Sequence, residues 1–161
     1  MEPLIALITA TLVTRTLGPL LSDRLRDNWL ALRVGLAAMF VVTGLAHFVG
    51  LRDDLVSMVP PSLPAPELLV TVTGVMELAG AAALLHGRTY RWAAAGLALL
   101  LVAVFPANVH AASAEMTAVQ AESLGVRTAL QLVFLSALVA VWWPKTARRR
   151  SIPKLSYATR S

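Results

Sequence analysis

The chain has 161 residues, the length of one domain, and 57% of them are apolar. With a mean hydropathy of +0.70, it is too apolar for a water-soluble domain of this size, which has too little interior to bury that surface. The absence of cysteine excludes disulfides, thiolate metal sites, iron–sulfur ligation and a cysteine nucleophile, so we expect a lipid-embedded protein without these chemistries.

The first apolar stretch, from Pro3 to Leu21, is interrupted by Arg15 and by Gly18-Pro19. Three interpretations are open: this segment crosses the membrane, lies along its surface, or enters it only partly. We favour a crossing, because Arg15 lies near one end and can extend its charge to the interface. An interfacial helix would also carry more charge on one face.

Four further stretches reach the length of about 20 apolar residues that a helix needs to cross the hydrocarbon core. They are Trp29–Gly50, Pro66–Gly87, Tyr90–Ala111 and Val126–Trp143. None alternates with the period of a strand, and all are rich in Leu, Ala and Gly. The sequence therefore predicts an all-α fold, a transmembrane four-helix bundle over residues 29–143. The hydrophobic helix over 3–21 is a candidate fifth span, and the whole chain, 1–161, forms a single domain.

Basic residues predict the orientation of this bundle. If successive helices alternate in direction, one side receives nearly all of the Lys and Arg residues, including six in a tail over residues 144–161. Outside that tail they are Arg24, Arg26, Arg33, Arg88 and Arg91. The opposite loops contain only Arg52 and Arg127, and one of these loops is rich in proline, Val59–Pro66. By the positive-inside rule we predict a multi-pass protein of the bacterial cytoplasmic (cell) membrane with a cytoplasmic C-terminus.

The basic tail is interpreted as a membrane anchor, since it directly follows an apolar helix. Nucleic acid is the weaker alternative partner, because Tyr157 is the sole aromatic residue interleaved with the basic residues of the tail.

Two ionisable side chains fall inside the apolar spans, where lipid should exclude them. Glu77 lies about eleven residues into its helix, near mid-membrane, and His47 lies near the outer end of the preceding span. Both can transfer protons, and we predict them as catalytic residues. The alternatives are a hydrogen bond between helices for Glu77 and an interfacial, hydrated side chain for His47.

Three more polar residues are predicted to bind a ligand, and no metal site is predicted. Asn108 follows Pro106, which frees the carbonyl of Val102 and bends the helix, so Asn108 either points into the bundle or caps that carbonyl. Arg127 and Gln131 are four residues apart and share one helix face. Arg127 either pairs with an anionic group or extends to the interface.

These five residues are predicted to lie toward the same side of the membrane. Glu77 lies one or two turns deeper than the other four, which all fall in the outer half of the membrane: His47, Asn108, Arg127 and Gln131. We predict one polar pocket, open outward or laterally, with Glu77 at its floor. Close helix packing around it is predicted at four glycines. They are Gly44, Gly74, Gly80 and Gly96.

Five sequence strings, in this order and spacing, resemble the DoxX-like family of small bacterial membrane proteins over residues 29–143. They are GLAHF, MVPPSLPAP, VTGVMELAGAAALL, VFPANVHAA and RTALQ. The resemblance implies a four-helix membrane bundle, and named members of the family are linked to a thiosulfate:quinone oxidoreductase and to redox-stress membrane complexes. It also implies that six positions match the family's motif residues: His47, Glu77, Pro106, Asn108, Arg127 and Gln131. The segment 3–21 departs from the simplest family pattern.

Three functions remain open. The first is a redox-linked subunit, or a binder of a quinone-like lipophilic molecule, with no covalent cofactor and with electrons supplied by a redox partner protein. The second is a membrane enzyme of isomerase type, in which Glu77 and His47 act as acid and base on a lipophilic substrate. The third is a structural or scaffolding subunit. Transport is weaker and would need a homo-oligomer, while membrane lipids are partners in every case.

Overall fold

The computed structural model describes residues 2–113 and 124–143, without the side chains of Arg24 and Arg26. These residues form six α-helices and one 3₁₀ turn, Asp23–Arg26, so the predicted all-α class is confirmed. The helices are α1 (Glu2–Leu21), α2 (Asn28–Ala46), α3 (Arg52–Met58), α4 (Pro66–Leu85), α5 (Tyr90–Ser113) and α6 (Leu124–Trp142). The predicted basic tail, residues 144–161, and the connection from α5 to α6, residues 114–123, lie outside the described residues.

Five of these helices are long and apolar enough to cross a membrane, namely α1, α2, α4, α5 and α6. Their outward surfaces are apolar as well: Leu99 of α5 is 70% exposed and Leu132 of α6 is 62% exposed. Large apolar side chains exposed along every span match a hydrocarbon solvent. The chain is therefore a multi-pass membrane protein, and α1 has the length and composition of the additional span.

Four of the spans close into a bundle. α2 contacts α4 and α6, and α5 completes the ring by contacting the same two helices. The shared core is made of apolar side chains from all four. Its largest fully buried side chains are Leu36, Met39, Phe40, Leu84 and Leu138.

α1 packs outside this ring, against α2. The two backbones touch at Gly35, where a side chain would collide with the Thr11 hydroxyl and the Leu7 carbonyl. Thr11 directs that hydroxyl back to the Leu7 carbonyl at 2.6 Å, so no polar atom at this contact is left without a partner. Close backbone approach at a small residue is the usual means of joining helices in lipid, where apolar burial gives no advantage.

The structure differs from the prediction after the second span. α2 ends at Ala46, four residues before the predicted end, and the chain turns through Gly50, whose φ is +79°. The short helix α3 follows, which was not predicted. Asp53 and Asp54 lie in its first turn, where the helix dipole favours acidic groups. Its last residue, Met58, is buried against the bundle.

Contacts between helix ends confirm that the spans alternate in direction. The start of α2 meets the end of α4, and the start of α5 meets the end of α6, through Arg33 and Arg91. All four tryptophans of the chain belong to these termini, and this end of the bundle is called the tryptophan end. They are Trp29, Trp92, Trp142 and Trp143. The opposite end carries α3 and the proline-rich loop and is called the proline-loop end.

Candidate acid–base site in the bundle

His47 caps the C-terminus of α2 and directs its imidazole toward α4. Its Nδ1 atom lies 2.7 Å from the backbone oxygen of Val70, and the Thr73 hydroxyl lies 3.3 Å from the same nitrogen. A carbonyl oxygen can only accept a hydrogen bond, so Nδ1 carries a proton. In the neutral imidazole the other nitrogen, Nε2, is then an acceptor, and it faces Glu77.

Glu77 lies in the middle of α4 and is only 7% exposed, so its carboxyl group faces protein and not lipid, as predicted. Its Oε1 atom is 3.7 Å from Nε2 of His47. The second oxygen, Oε2, is buried and has no hydrogen-bond partner among the described residues. An acid and a base therefore lie side by side in the interior, with one polar atom unsatisfied.

The two facing atoms, Oε1 of Glu77 and Nε2 of the neutral imidazole, can each accept a hydrogen bond. The separation of 3.7 Å is too long for a direct hydrogen bond. It is also less than twice the O–H···O or N–H···O distance of about 2.8 Å, so one oxygen atom of a ligand or water can contact both groups.

Two glycines allow this approach of α2 and α4. A Cβ atom at Gly74 would lie 2.5 Å from Cβ of His47, and one at Gly44 would lie 2.9 Å from the Leu78 side chain and 3.3 Å from Cβ of Glu77. The predicted role of these two glycines is confirmed, and so is that of Gly80, which packs on α5. At the fourth predicted position, Gly96, the space is open and the prediction was wrong.

Arg52 holds the segment that follows His47 against α4, a role that was not predicted from the sequence. Its guanidinium donates to the His47 carbonyl at 3.1 Å and to the Thr71 hydroxyl at 3.0 Å. A longer contact of 3.4 Å reaches the Glu67 carbonyl. These bonds tie the end of α2 to the first turns of α4. The available signal was a lone basic residue, five positions after His47, in a loop otherwise poor in basic residues.

The three predicted ligand-binding residues meet between α5 and α6. Gln131, which is 8% exposed, donates to the backbone oxygen of Leu101 at 2.9 Å. Asn108 donates to the Gln131 side-chain oxygen at 3.5 Å, and Arg127 donates to the Asn108 oxygen at 3.4 Å. The carbonyl that accepts from a side-chain amide is thus that of Leu101, the residue before Val102, and the donor is Gln131. Asn108 instead links the Gln131 and Arg127 side chains.

Among the described residues, the hydrogen bonds of Asn108 and Gln131 do not include His47 or Glu77. The His47–Glu77 pair links α2 to α4, whereas Asn108 and Gln131 link α5 to α6. The single pocket containing all five residues stays a prediction. Within residues 2–113 and 124–143, no three His, Asp or Glu side chains are grouped as metal ligands.

Comparison with known proteins places the chain in one family. A family model described as "Domain of unknown function (DUF8561)" matches residues 36–149, which is more than half of the chain and includes both polar groups. The protein therefore belongs to this family. No curated protein and no solved structure matches it. α1 precedes the matched region.

The hydrogen-bond geometry of His47 predicts its tautomer. We expect ¹⁵N NMR of the protein in detergent or lipid to show a protonated Nδ1 in the neutral imidazole, because Nδ1 donates to the Val70 carbonyl. Loss of the signal in His47→Gln assigns it, and the exposed His86 serves as the reference side chain. A bare Nδ1 with a protonated Nε2 would contradict the described geometry.

Proposed function

We propose that the protein binds a quinone-like lipophilic molecule at the His47–Glu77 pair, as a redox-linked membrane subunit. The observation that carries the proposal is the buried Oε2 atom of Glu77, which has no hydrogen-bond partner among the described residues. Leaving such an atom unsatisfied costs about 1–3 kcal/mol. A ligand hydroxyl that donates to Oε2 would recover that energy.

A quinone and its quinol suit the chemistry of this pair. Reduction of a quinone to a quinol consumes two electrons and two protons, and the Glu77 carboxyl group and the His47 imidazole would each relay one proton from water to a ligand oxygen. The quinol hydroxyl can then donate to Oε2. The electrons would come from a redox partner protein. The chain has no cysteine to carry them, and no covalent cofactor is proposed.

The surroundings of the pair suit an apolar ligand that arrives through the bilayer. Leu45 and Phe48, on either side of His47, are 50% and 39% exposed and belong to the lipid-facing surface. The His47 side chain itself is 13% exposed, so the imidazole is covered but not sealed. A ring with a lipophilic tail would keep that tail in hydrocarbon while its oxygens reach the pair.

The resemblance to the DoxX-like family supports a quinone-linked role. The distribution of basic residues supports the cell membrane as the location, with the tryptophan end and the C-terminus in the cytoplasm. The His47–Glu77 pair would then lie toward the outer side. Asn108, Arg127 and Gln131 would contact the same ligand only if α5 and α6 bring them to it.

Quinone retention tests the proposal. We expect the protein extracted from its native membrane to contain a quinone, measured by liquid chromatography and mass spectrometry per mole of protein. Glu77→Gln should lower this occupancy about tenfold, since it removes a charge-assisted partner of the ligand. Glu67→Gln makes the same change at an exposed position of the same helix and should leave the occupancy unchanged.

Absence of quinone from the unaltered protein, or equal retention by both variants, would contradict the proposal. A different lipophilic molecule lost in Glu77→Gln would favour the isomerase-type alternative. That alternative is supported by the 3.7 Å separation, which puts an acid and a base within reach of one substrate. If both variants retained every bound molecule and Glu77→Gln altered only stability, a scaffolding role would be favoured.

A further inference from the structure

The His47–Glu77 pair offers hydrogen-bond acceptors and no donor when the imidazole is neutral and the carboxyl group is ionised. Both carboxylate oxygens of Glu77 accept, and Nε2 of His47 accepts because the ring proton is on Nδ1, which lies 2.7 Å from the Val70 carbonyl. Oε1 and Nε2 face each other at 3.7 Å, and Oε2 is buried without a partner in the described part of the chain. Three acceptor atoms therefore share one largely buried site.

The hydroxyl group nearest to the imidazole does not supply the missing donor. The Thr73 oxygen lies 3.3 Å from Nδ1 of His47, on the side of the ring that carries the proton. The hydroxyl donates instead along its own helix, to the Leu69 carbonyl at 2.9 Å or the Val70 carbonyl at 3.0 Å. A hydroxyl has only one proton to donate, so this proton is held by the backbone of α4. A donor for the pair must come from a ligand.

A proton added to the pair changes this balance at one atom only. If the proton is placed on a Glu77 oxygen or on Nε2 of His47, one acceptor becomes a donor and two acceptors remain. A ligand hydroxyl can then accept from the new donor and donate to a remaining acceptor, whereas a ligand carbonyl can only accept. In either protonation state, a hydroxyl group therefore satisfies more of these atoms than a carbonyl group does.

We infer that the pair binds a quinol more tightly than the corresponding quinone, an inference that rests on the proposed function. The two molecules share one ring and one tail, but the quinol carries hydroxyl groups and the quinone carries carbonyl oxygens. A quinone at this site would leave buried acceptors unsatisfied, and a quinol hydroxyl would donate to one of them. Tighter binding of the reduced form raises the reduction potential of the bound molecule, by about 30 mV for a tenfold difference in dissociation constant of a two-electron couple.

Binding of the two redox forms to the full-length protein in lipid nanodiscs tests this inference. Decylubiquinone and decylubiquinol are titrated separately by calorimetry in the absence of oxygen, so that the quinol stays reduced. We expect the quinol to bind about tenfold more tightly. A redox titration of the bound molecule should then give a midpoint potential about 30 mV above that of the same quinone in protein-free nanodiscs.

Glu77→Gln should abolish the preference for the quinol, because a side-chain amide exchanges one acceptor for a donor. Glu67→Gln, at an exposed position of the same helix, is the matched control and should keep the preference. Equal affinities for the two forms, tighter binding of the quinone, or a preference retained by Glu77→Gln would overturn the inference and leave the proposed function standing. Binding of neither form would overturn the proposed function, and the inference with it.

Discussion

Substitution of Leu132 by lysine is expected to make membrane insertion of α6 less favourable by about 3–4 kcal/mol, the difference between the two side chains at a helix centre. Leu132 lies near the middle of α6 and is 62% exposed. In water, such a substitution at an exposed position would change stability by no more than about 0.5 kcal/mol. In hydrocarbon the ammonium group must be moved to the interface or neutralised. The measurement is the inserted fraction of the α6 segment in a translocon insertion assay.

The matched control is Leu21→Lys. Leu21 is 84% exposed but ends α1, where a lysine side chain can reach the headgroups. We expect its effect on insertion to be small. If Leu132→Lys were equally well tolerated, and the full chain carrying it remained folded without detergent, the exposed apolar surface would not be in contact with lipid and the membrane assignment would fail.

The second large effect is expected at Gly74, where Gly74→Ala should lower the free energy of unfolding by about 1–3 kcal/mol through overpacking. The added Cβ would lie 2.5 Å from Cβ of His47 and 2.9 Å from Phe48, and helix backbones must separate to make room. This displacement would also change the distance between His47 and Glu77. Unfolding in mixed detergent micelles measures the free energy of unfolding, and quinone retention reports the change in the distance between His47 and Glu77.

Gly96→Ala is the control for helix propensity, because nothing lies within 4 Å of a Cβ at Gly96. It should be neutral or stabilising by up to about 1 kcal/mol, since alanine is the better helix former. A Gly74→Ala protein as stable as this control would show that α2 and α4 are not packed as described.

The sequence was sufficient to predict which segments form helices long and apolar enough to cross a membrane, and to place Glu77 in the middle of one of them. Apolar length and flanking charge define a transmembrane helix, and a carboxyl group such as that of Glu77 is tolerated there when it faces protein. The predicted start of the third of these spans, Pro66, is also where α4 begins, and a proline at the first helical position loses no hydrogen bond.

The rotation of each helix was not predictable. The spans are apolar on every side, so no amphipathic pattern distinguishes the face toward a neighbour from the face toward lipid. The sequence therefore did not predict that Glu77 lies at the contact of α2 with α4, whereas Gln131 lies at the contact of α5 with α6. For the same reason Gly74 and Gly96 had equivalent patterns, although only Gly74 meets another helix.

The short helix α3 and the role of Arg52 were missed because both depend on contacts distant in sequence. Arg52 bonds to the His47 carbonyl and to Thr71, and these two partners come together only after α2 and α4 have packed. The charge of Arg52 was visible, but its geometry was not. Irregular segments between spans are generally set by such tertiary contacts and not by local propensity.

Arg33 and Arg91 each join two helices whose bonded ends must lie on the same side of the membrane. Each donates from Nε to a carbonyl near the C-terminal end of a neighbour, joining α2 to α4 and α5 to α6, where the helix dipole attracts a cation. Had the hairpin of α4 and α5 been threaded upside down, both donor–acceptor pairs would lie on opposite membrane faces. A chain inserted with the wrong topology would therefore lack these two charge-assisted hydrogen bonds. Their formation in the assembled bundle favours the topology that is set when the helices are inserted.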